Sequence, residues 1–220
     1  MRIMLGTVRQ SPFVGIFSIA MEKTVLVPKT IAKKEAKMLQ RLFGGKLVQA
    51  TIAGSSLLGV LAVANSRGIV TTDIIEDRER RELEEAGLRV KTVEKITAVG
   101  NLMAVNDHFG VCSTAFSEKQ RKEIGKFLSI ELAQATIAGS DLVGANCVAT
   151  NRGFLLSPRA TEKEFKTISR HFKLRGVIAT ANYGDSFIGN SVIANSEAAL
   201  VGPYTTGHEL ARVDEGLRGA

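Results

Sequence analysis

A ten-residue segment occurs twice in this chain with only two changes. ATIAGSSLLG occupies residues 50–59, and ATIAGSDLVG occupies residues 135–144. A looser copy, ATANYGDSFIG, occupies residues 179–189. Repetition of this kind is typical of folds assembled from equivalent units, so it constrains the architecture more than any single motif does. The two close copies lie 85 residues apart, near two periods of 43, which predicts a further unit between them.

The length of the repeat can be measured from a turn that follows an apolar segment in each copy. Its equivalent positions are Met21, Asn65, Asn106, Asn151 and Asn195, at spacings of 44, 41, 45 and 44 residues. Asn suits such turns because it tolerates left-handed backbone and hydrogen-bonds to its own main chain. The 220-residue chain is therefore predicted to be one domain of five repeats, approximately 1–49, 50–93, 94–134, 135–178 and 179–220.

Each repeat shows the same predicted order of elements. An apolar strand such as LLGVLAVA runs into the turn, and a second short strand such as GIVTT returns from it. A helix follows, since TEKE and SEKQ are capping-box sequences and Phe165, Ile168 and Phe172 recur at helical spacing. A third strand closes each of the first four repeats. The predicted unit is strand, turn, strand, helix, strand.

The repeats are predicted to close into a ring. A unit this small cannot bury its own apolar faces, so the copies must pack together. An open stack needs polar end caps, whereas here the first and last repeats keep the core pattern. We therefore expect an α/β fold, a five-bladed propeller with pseudo-fivefold symmetry, with helices outside and strands around a central axis. All five copies of the repeated segment then lie on one rim.

The reactive side chains form no recognisable catalytic or metal-binding pattern. His108, His171 and His208 have no second ligand at metal-binding spacing, so no metal site is predicted. Cys112 and Cys147 are too few for a disulfide framework, and their apolar surroundings predict buried, unreactive thiols. The chain has no phosphate-binding loop and no dinucleotide fingerprint, so no cofactor is expected.

The composition does not decide which kind of partner the protein binds. A net charge of +7 permits an anionic partner such as RNA, and it equally suits a lysine-rich surface that confers solubility. The absence of Trp and the presence of only two Tyr provide few stacking platforms for single-stranded nucleic acid. No apolar run approaches membrane-spanning length and no targeting segment is recognisable, so we expect a cytoplasmic protein without a membrane partner. The small polar residues of the repeated segment suit either simple turns or a docking rim.

Four segments resemble one family in order along the chain. TIAGSSLLG, ITAVGNLMAVND, TIAGSDLVG with CVATNRG, and YTTGHELARVDE are similar to the archaeal and eukaryotic translation initiation factor six family. The resemblance implies a pentein fold and binding to the large ribosomal subunit, mainly through ribosomal protein uL14, near the sarcin–ricin loop. It implies steric blocking of subunit joining and a role in late subunit maturation. It implies no reaction and no cofactor, and we expect a monomer.

The resemblance also supplies candidate interface residues. The matching motif places Gly100 and Asn101 on the ribosome-facing rim. Asn106 and Asp107 match the Asn-Asp pair of the family, although both are also common turn formers.

A second rim loop contains Asn182, Tyr183, Gly184 and Asp185, where the family usually has Asn-Arg-Gly. Tyr183 thus replaces an Arg, and Val60 stands where eukaryotic members carry an Arg, so this sequence lacks the positive charge that the family pattern has at these two places.

Two other functions are compatible with parts of the sequence. One is a pentein enzyme acting on guanidino groups. Enzymes of that class resemble one another in having a nucleophilic Cys in the last blade, whereas no Cys follows Cys147 in this chain. A nucleic-acid-binding ring rests on net charge alone. An enzyme would form citrulline or urea from arginine-like substrates, and an RNA-binding ring would bind naked RNA with steep salt dependence.

Overall fold

The chain forms five three-stranded sheets. The computed structural model describes residues 1–219, and Ala220, the last residue of the predicted fifth repeat, lies outside them. In every sheet the inner strand pairs antiparallel with the middle strand, and the middle strand pairs parallel with the outer strand. Each sheet and its helix form one blade, and the blades are numbered 1 to 5 along the chain.

The elements recur in the same order in every blade. The strands, given as inner, middle and outer, are Ile19–Ala20, Thr24–Pro28 and Lys46–Ala50 in blade 1; Ala62–Asn65, Gly68–Thr72 and Val90–Val93 in blade 2; Met103–Val105, Phe109–Cys112 and Glu131–Gln134 in blade 3; Cys147–Ala149, Phe154–Leu156 and Gly176–Ile178 in blade 4; and Val192–Ala194, Ala198–Val201 and Arg2–Leu5 in blade 5. The long helices are Lys33–Phe43, Asp77–Glu85, Glu118–Leu128, Glu162–Phe172 and Gly207–Arg218. Short helical turns precede the inner strands at Val14–Phe17, Leu58–Leu61, Gly100–Leu102, Val143–Asn146 and Ile188–Ser191.

The N-terminal strand closes the ring. Arg2–Leu5 pairs parallel with Ala198–Val201, so the first strand of the chain is the outer strand of the last blade. The inner strands contact one another in cyclic order, and the fifth contacts the first. The predicted closure is confirmed, but the first residues of the predicted repeat 1–49 belong in space to blade 5.

The core lies between blades rather than within them. One cluster combines Leu26 and Val48 of blade 1 with Leu58, Ile69 and Leu83 of blade 2. Four further clusters are built in the same way around the ring. Each long helix therefore covers its own sheet and the sheet of the preceding blade, and no blade buries its apolar side chains alone.

The apolar segment before each inner strand is only partly a strand, which corrects the sequence prediction. Val14–Phe17 and its equivalents form a helical turn, and only the residues after it extend along the axis. Five segments of the chain converge here, and each short turn contacts the short turns of the neighbouring blades.

Five glycines make this convergence possible. A Cβ atom on Gly15, Gly59, Gly100, Gly144 or Gly189 would lie 1.8–2.1 Å from the carbonyl oxygen of the equivalent glycine in the preceding blade. No side chain fits at that distance, so only glycine permits this approach. We call this set the glycine ring, and it explains why the repeated segment ends in Gly in every blade.

Candidate functional site

The ring has two different ends. Every inner strand runs from a short helical turn to a hairpin turn. The short turns and the approach loops that lead into them therefore share one end, which we call the loop face. The hairpins share the other end, the turn face.

The predicted interface residues divide between these ends. Gly100 and Asn101 lie in the short turn of blade 3, and residues 182–185 form the approach loop of blade 5, both on the loop face. Asn106 and Asp107 follow the inner strand Met103–Val105 and lie on the turn face. The structure thus brings six candidates to one end and places Asn106 and Asp107 off that rim, at the opposite end.

Asn106 ties neighbouring blades together. Its Oδ1 accepts hydrogen bonds from the backbone N–H groups of His108 (2.8 Å) and Phe109 (2.7 Å), and its Nδ2 donates to the carbonyl oxygen of Thr150 (2.8 Å) in blade 4. Asn65 donates in the same way to the carbonyl of Asn106 at 3.1 Å. Asn106 is 5% exposed, so its side chain is occupied by the fold.

The hairpins also correct the predicted alignment of repeats. Thr150, not Asn151, occupies the position equivalent to Asn65 and Asn106, and its Oγ1 accepts from the backbone N–H of Arg152 at 3.2 Å. None of the turn asparagines has left-handed backbone in the described residues; they use only the side-chain bond to the main chain.

Asp107 belongs to a second set of bonds on the turn face. Its carboxylate accepts from Ser66 N (2.7 Å) and Ser66 Oγ (2.9 Å) in blade 2 and from Asn151 Nδ2 (2.9 Å) in blade 4. Asn151 Nδ2 also donates to Glu22 Oε1 at 3.2 Å, and Ser196 donates to the same oxygen at 2.8 Å. These bonds connect all five hairpins.

The approach loops are held by glutamates of the long helices. Glu209 accepts from Thr180 Oγ1 (2.8 Å), Gly184 N (2.8 Å) and Tyr183 N (3.3 Å). The loop exposes these N–H groups because residues 182–184 have positive φ, between 48° and 96°. Glu35, Glu79 and Glu164 hold the equivalent loops of blades 1, 2 and 4.

Three of these glutamates also complete the capping boxes at the helix starts. Burial alone would raise the pKa of the Glu79, Glu164 and Glu209 carboxyls, but the hydrogen bonds they accept outweigh it and hold each pKa below its ordinary value. The repeated segment therefore recurs because each copy forms the N–H cradle for one of these carboxylates.

Two of the six loop-face candidates have side chains that the fold does not use. Gly100 is part of the glycine ring. The amide of Asn182 donates to Pro12 O (2.9 Å), and Asp185 accepts from Ser191 Oγ (2.8 Å). Gly184 carries no side chain. By contrast, the side chains of Asn101 and Tyr183 form no hydrogen bond within residues 1–219, and Tyr183 is 84% exposed.

The loop face also exposes apolar side chains that the sequence prediction missed. Phe13, Leu57 and Leu142 occupy the residue before the short helical turn in blades 1, 2 and 4, and each is 37–39% exposed. Tyr204 and Ile74, which follow middle strands at this end, are 68% and 56% exposed. Aligning the repeats at the glycine ring would have revealed the first three.

Charge is scarce around the axis on the loop face. The segments 11–17, 55–61, 96–102, 140–146 and 185–191 contain only two charged residues, Asp141 and Asp185. Asp141 accepts from Ser113 Oγ and Thr114 Oγ1, both at 2.8 Å, which holds its pKa below the ordinary value. Asp185 is likewise bonded within its own loop. Around the axis the loop face thus presents apolar and neutral polar groups, while the exposed Arg9 and Lys95 lie in its approach loops and the hairpins of the turn face carry charged residues such as Arg67 and Arg152.

The central channel and the thiols show no activated chemistry. A cavity of about 110 Å³ along the axis is lined mainly by Gly, Ala, Val, Ile and Met, together with Ser18 and Cys147. Burial raises the pKa of the Cys147 thiol to about 12, and that of Cys112 to the same value. In the part of the chain that is described, no three His, Cys, Asp or Glu side chains cluster as metal ligands, and no helix is long and apolar enough to span a bilayer.

Five three-stranded sheets arranged cyclically around an axis define the pentein class of α/β propellers. The solved structure of ArgZ, an arginine dihydrolase from cyanobacteria, is similar to this chain, with a TM-score of 0.51 and 15% sequence identity. The match covers 74% of this chain and 29% of that one, and at this identity it supports the fold alone. The family model described as the eIF-6 family matches residues 3–216, and the chain belongs to this family.

Curated archaeal relatives agree with this assignment. Translation initiation factor 6 of Pyrococcus abyssi is 34% identical over 214 residues, covering 94% of each chain. Translation initiation factor 6 of Methanobrevibacter smithii is 36% identical over 208 residues, covering 94% of this chain and 93% of the relative.

Proposed function

We propose that this protein is a translation initiation factor that binds the large ribosomal subunit through its loop face and sterically prevents the small subunit from joining. The main contact is ribosomal protein uL14, near the sarcin–ricin loop, and the protein accompanies late maturation of the large subunit. It acts as a cytoplasmic monomer, without a cofactor and without catalysing a reaction. Membership of the eIF-6 family supports the activity.

The difference between the two faces supports the loop face as the surface that binds the ribosomal subunit. The centres of protein interfaces are depleted in charge and enriched in aromatic anchors, and contiguous exposed apolar groups mark binding sites. On the loop face, Phe13, Leu57, Leu142 and Tyr183 surround a centre almost free of charge, whereas the turn face is polar and internally bonded. A standard interface takes roughly 800 Å² from each partner. That is less than a tenth of the 9847 Å² surface of the protein, so one end of the ring suffices.

Blocking by occupation requires a rigid body rather than a reactive group. The glycine ring, the hydrogen bonds between hairpins and the glutamates that hold the approach loops fix the loop face from behind, so little ordering entropy is lost on docking. The channel supports this choice over a guanidino-modifying enzyme, because its walls are apolar and its thiol is protonated near neutral pH.

Co-sedimentation with isolated large subunits tests the proposal. Asn101→Arg places a charge at the uncharged centre of the loop face, and we expect it to weaken binding about 30-fold, the cost of losing a 2 kcal/mol hot spot. His108→Arg is the matched control, because His108 is exposed on the turn face. The proposal fails if the wild-type protein stays at the top of the gradient at near-physiological salt, or if the two variants bind equally.

A further inference from the structure

The first repeat has the largest excess of positive charge in the protein. Residues 1–49 contain nine Lys and Arg against two Asp and Glu, which equals the whole net charge of +7. Residues 50–220 contain 20 of each sign and sum to zero; within them the fourth repeat, residues 135–178, contains seven Lys and Arg against three Asp and Glu. In a ring of five equivalent blades, this imbalance is not a requirement of the fold.

The long helix of blade 1 carries most of this charge on its outer face. Lys33, Lys34, Lys37 and Arg41 are all exposed, and none forms an ion pair with any group in residues 1–219. Glu35, the only acid of the helix Lys33–Phe43, is buried and accepts hydrogen bonds from the approach loop of its own blade. All the charged residues on the solvent side of this helix are therefore cationic. We call these four residues the cationic strip.

The other four long helices pair charges of opposite sign on their surfaces. Each contains at least one ion pair between residues three or four positions apart, namely Arg78–Glu82, Lys122–Glu118, Lys166–Glu162 and Arg218–Asp214. In the cationic strip Lys33–Lys37 and Lys37–Arg41 are like-charged pairs at this spacing, each destabilising a helix by a few tenths of a kcal/mol, and within residues 1–219 no ion pair offsets them. The strip costs stability and has no structural partner, which points to a ligand.

The chemistry of the strip fits a polyanion chain. The apolar side chains Leu39, Leu42 and Phe43 are buried against the sheets, so the helix has no apolar face with which to enter a lipid surface. The strip also lacks an exposed aromatic anchor of the kind that centres a protein interface. Successive cations four residues apart are separated by about 6 Å along the helix. Evenly spaced point charges of this kind suit phosphate groups along a strand.

We propose that the cationic strip binds the phosphodiester backbone of RNA. The helix begins at the loop face and runs down the outer wall of the ring. A protein docked through its loop face would therefore present the strip to RNA at the side of the docking site. That this RNA belongs to the large ribosomal subunit rests on the proposed function. The proposal that the strip binds RNA is independent of it.

Fluorescence anisotropy with a labelled single-stranded RNA of about 20 nucleotides tests the inference without ribosomal subunits. Four phosphate contacts on a single strand give a slope of about −2.8 for log affinity against log salt, or roughly 50-fold between 50 and 200 mM. Replacing all four strip residues by Gln should remove most of this slope and of the binding. The matched control replaces four cations of blade 4, Lys163, Lys166, Arg170 and Lys173, by Gln, and should bind like wild type.

The inference is overturned if wild type does not bind the RNA at about 50 mM salt, or if the strip variant and the blade 4 control lose affinity equally. Vesicles containing phosphatidylserine that bind more tightly than the RNA would also overturn it. Sedimentation of the same variants with large subunits separates the two proposals. If the strip variant binds RNA normally but Asn101→Arg loses subunit binding, the RNA proposal is wrong and the loop-face proposal stands. If RNA binding depends on the strip but wild type does not bind the large subunit, the RNA proposal stands and the proposed function is wrong.

Discussion

Replacement of Gly144 by Ala should weaken the whole ring. The new Cβ would lie 1.8 Å from the carbonyl oxygen of Gly100 and 2.6 Å from that of Met103, both backbone atoms of blade 3. Real Cβ contacts stay beyond 3.0 Å, so blade 3 must withdraw by about 1.2 Å. The inner strands contact their neighbours all round the axis, so the displacement is transmitted to the other blades.

Overpacking of this kind costs about 3 kcal/mol, at the upper end of the usual range of 1–3 kcal/mol, because backbone rather than flexible side chain must move. For a chain of this size each kcal/mol lowers Tm by about 2–4 °C, so the expected loss is roughly 6–12 °C. Urea unfolding measures the free energy of unfolding, and calorimetry measures Tm.

Gly207→Ala is the matched control for this prediction. Gly207 begins the helix Gly207–Arg218 and has no positive φ, and a Cβ added there would meet no heavy atom within 4 Å. The same substitution at this position should leave stability unchanged or raise it by about 0.4–1 kcal/mol. If Gly144→Ala unfolds with a free energy close to that of wild type, the reasoning about the glycine ring is wrong.

Three further predictions concern groups whose environment the structure defines. Glu79, Glu164 and Glu209 have folded-state pKa values below the ordinary 4.5, so their stabilisation is complete above pH 4.5 and is lost as pH falls through the folded values. Thermal unfolding from neutral pH down to about pH 3 should show this loss, and a flat profile would contradict it. Asn106→Ala should lower the free energy of unfolding by about 1–3 kcal/mol, because it leaves buried backbone groups unpaired, yet the folded variant should still co-sediment with large subunits. The Cys147 thiol, with a pKa of about 12, should resist iodoacetamide at mildly alkaline pH in the native protein and react in urea; rapid native labelling would refute its burial.

Repetition allowed much of the architecture to be predicted. The period of about 44 residues, the hairpins and the capping boxes at Ser117 and Thr161 are local patterns, and the structure contains all of them. The helical turn at Val14–Phe17 was missed because a short apolar run suits strand or helix equally. The pairing of Arg2–Leu5 with blade 5 was missed because a contact between chain ends leaves no local signal.

The candidate site was predicted less completely, for a physical reason. Gly100 and Asp107 are seven residues apart in sequence, but an inner strand carries the chain from one end of the ring to the other between them. The match of Asn106 and Asp107 to the family's Asn-Asp pair therefore did not reveal that they lie at the opposite end from Gly100. Likewise, Asn182 and Asp185 resemble exposed loop residues, yet their side chains are occupied by bonds to Pro12 and Ser191 that only the fold creates.

The two ends of the ring therefore have different roles. Polar side chains at the turn face satisfy one another across blades and hold the ring closed. The loop face uses backbone N–H groups and buried glutamates for the same purpose, and within residues 1–219 the side chains of Asn101 and Tyr183 form no hydrogen bond there, which is why the proposed contact is placed on this face.

The most direct test of the proposed function is a subunit-joining assay. Purified small and large subunits from the source organism are mixed in Mg²⁺ with wild type, Asn101→Arg or His108→Arg, and joined ribosomes are measured by light scattering. Wild type and His108→Arg should abolish joining at stoichiometric amounts, whereas Asn101→Arg should need about 30-fold more protein for the same effect. If joining proceeds normally with wild type bound to the large subunit, the protein does not act by occupying the site that the small subunit needs.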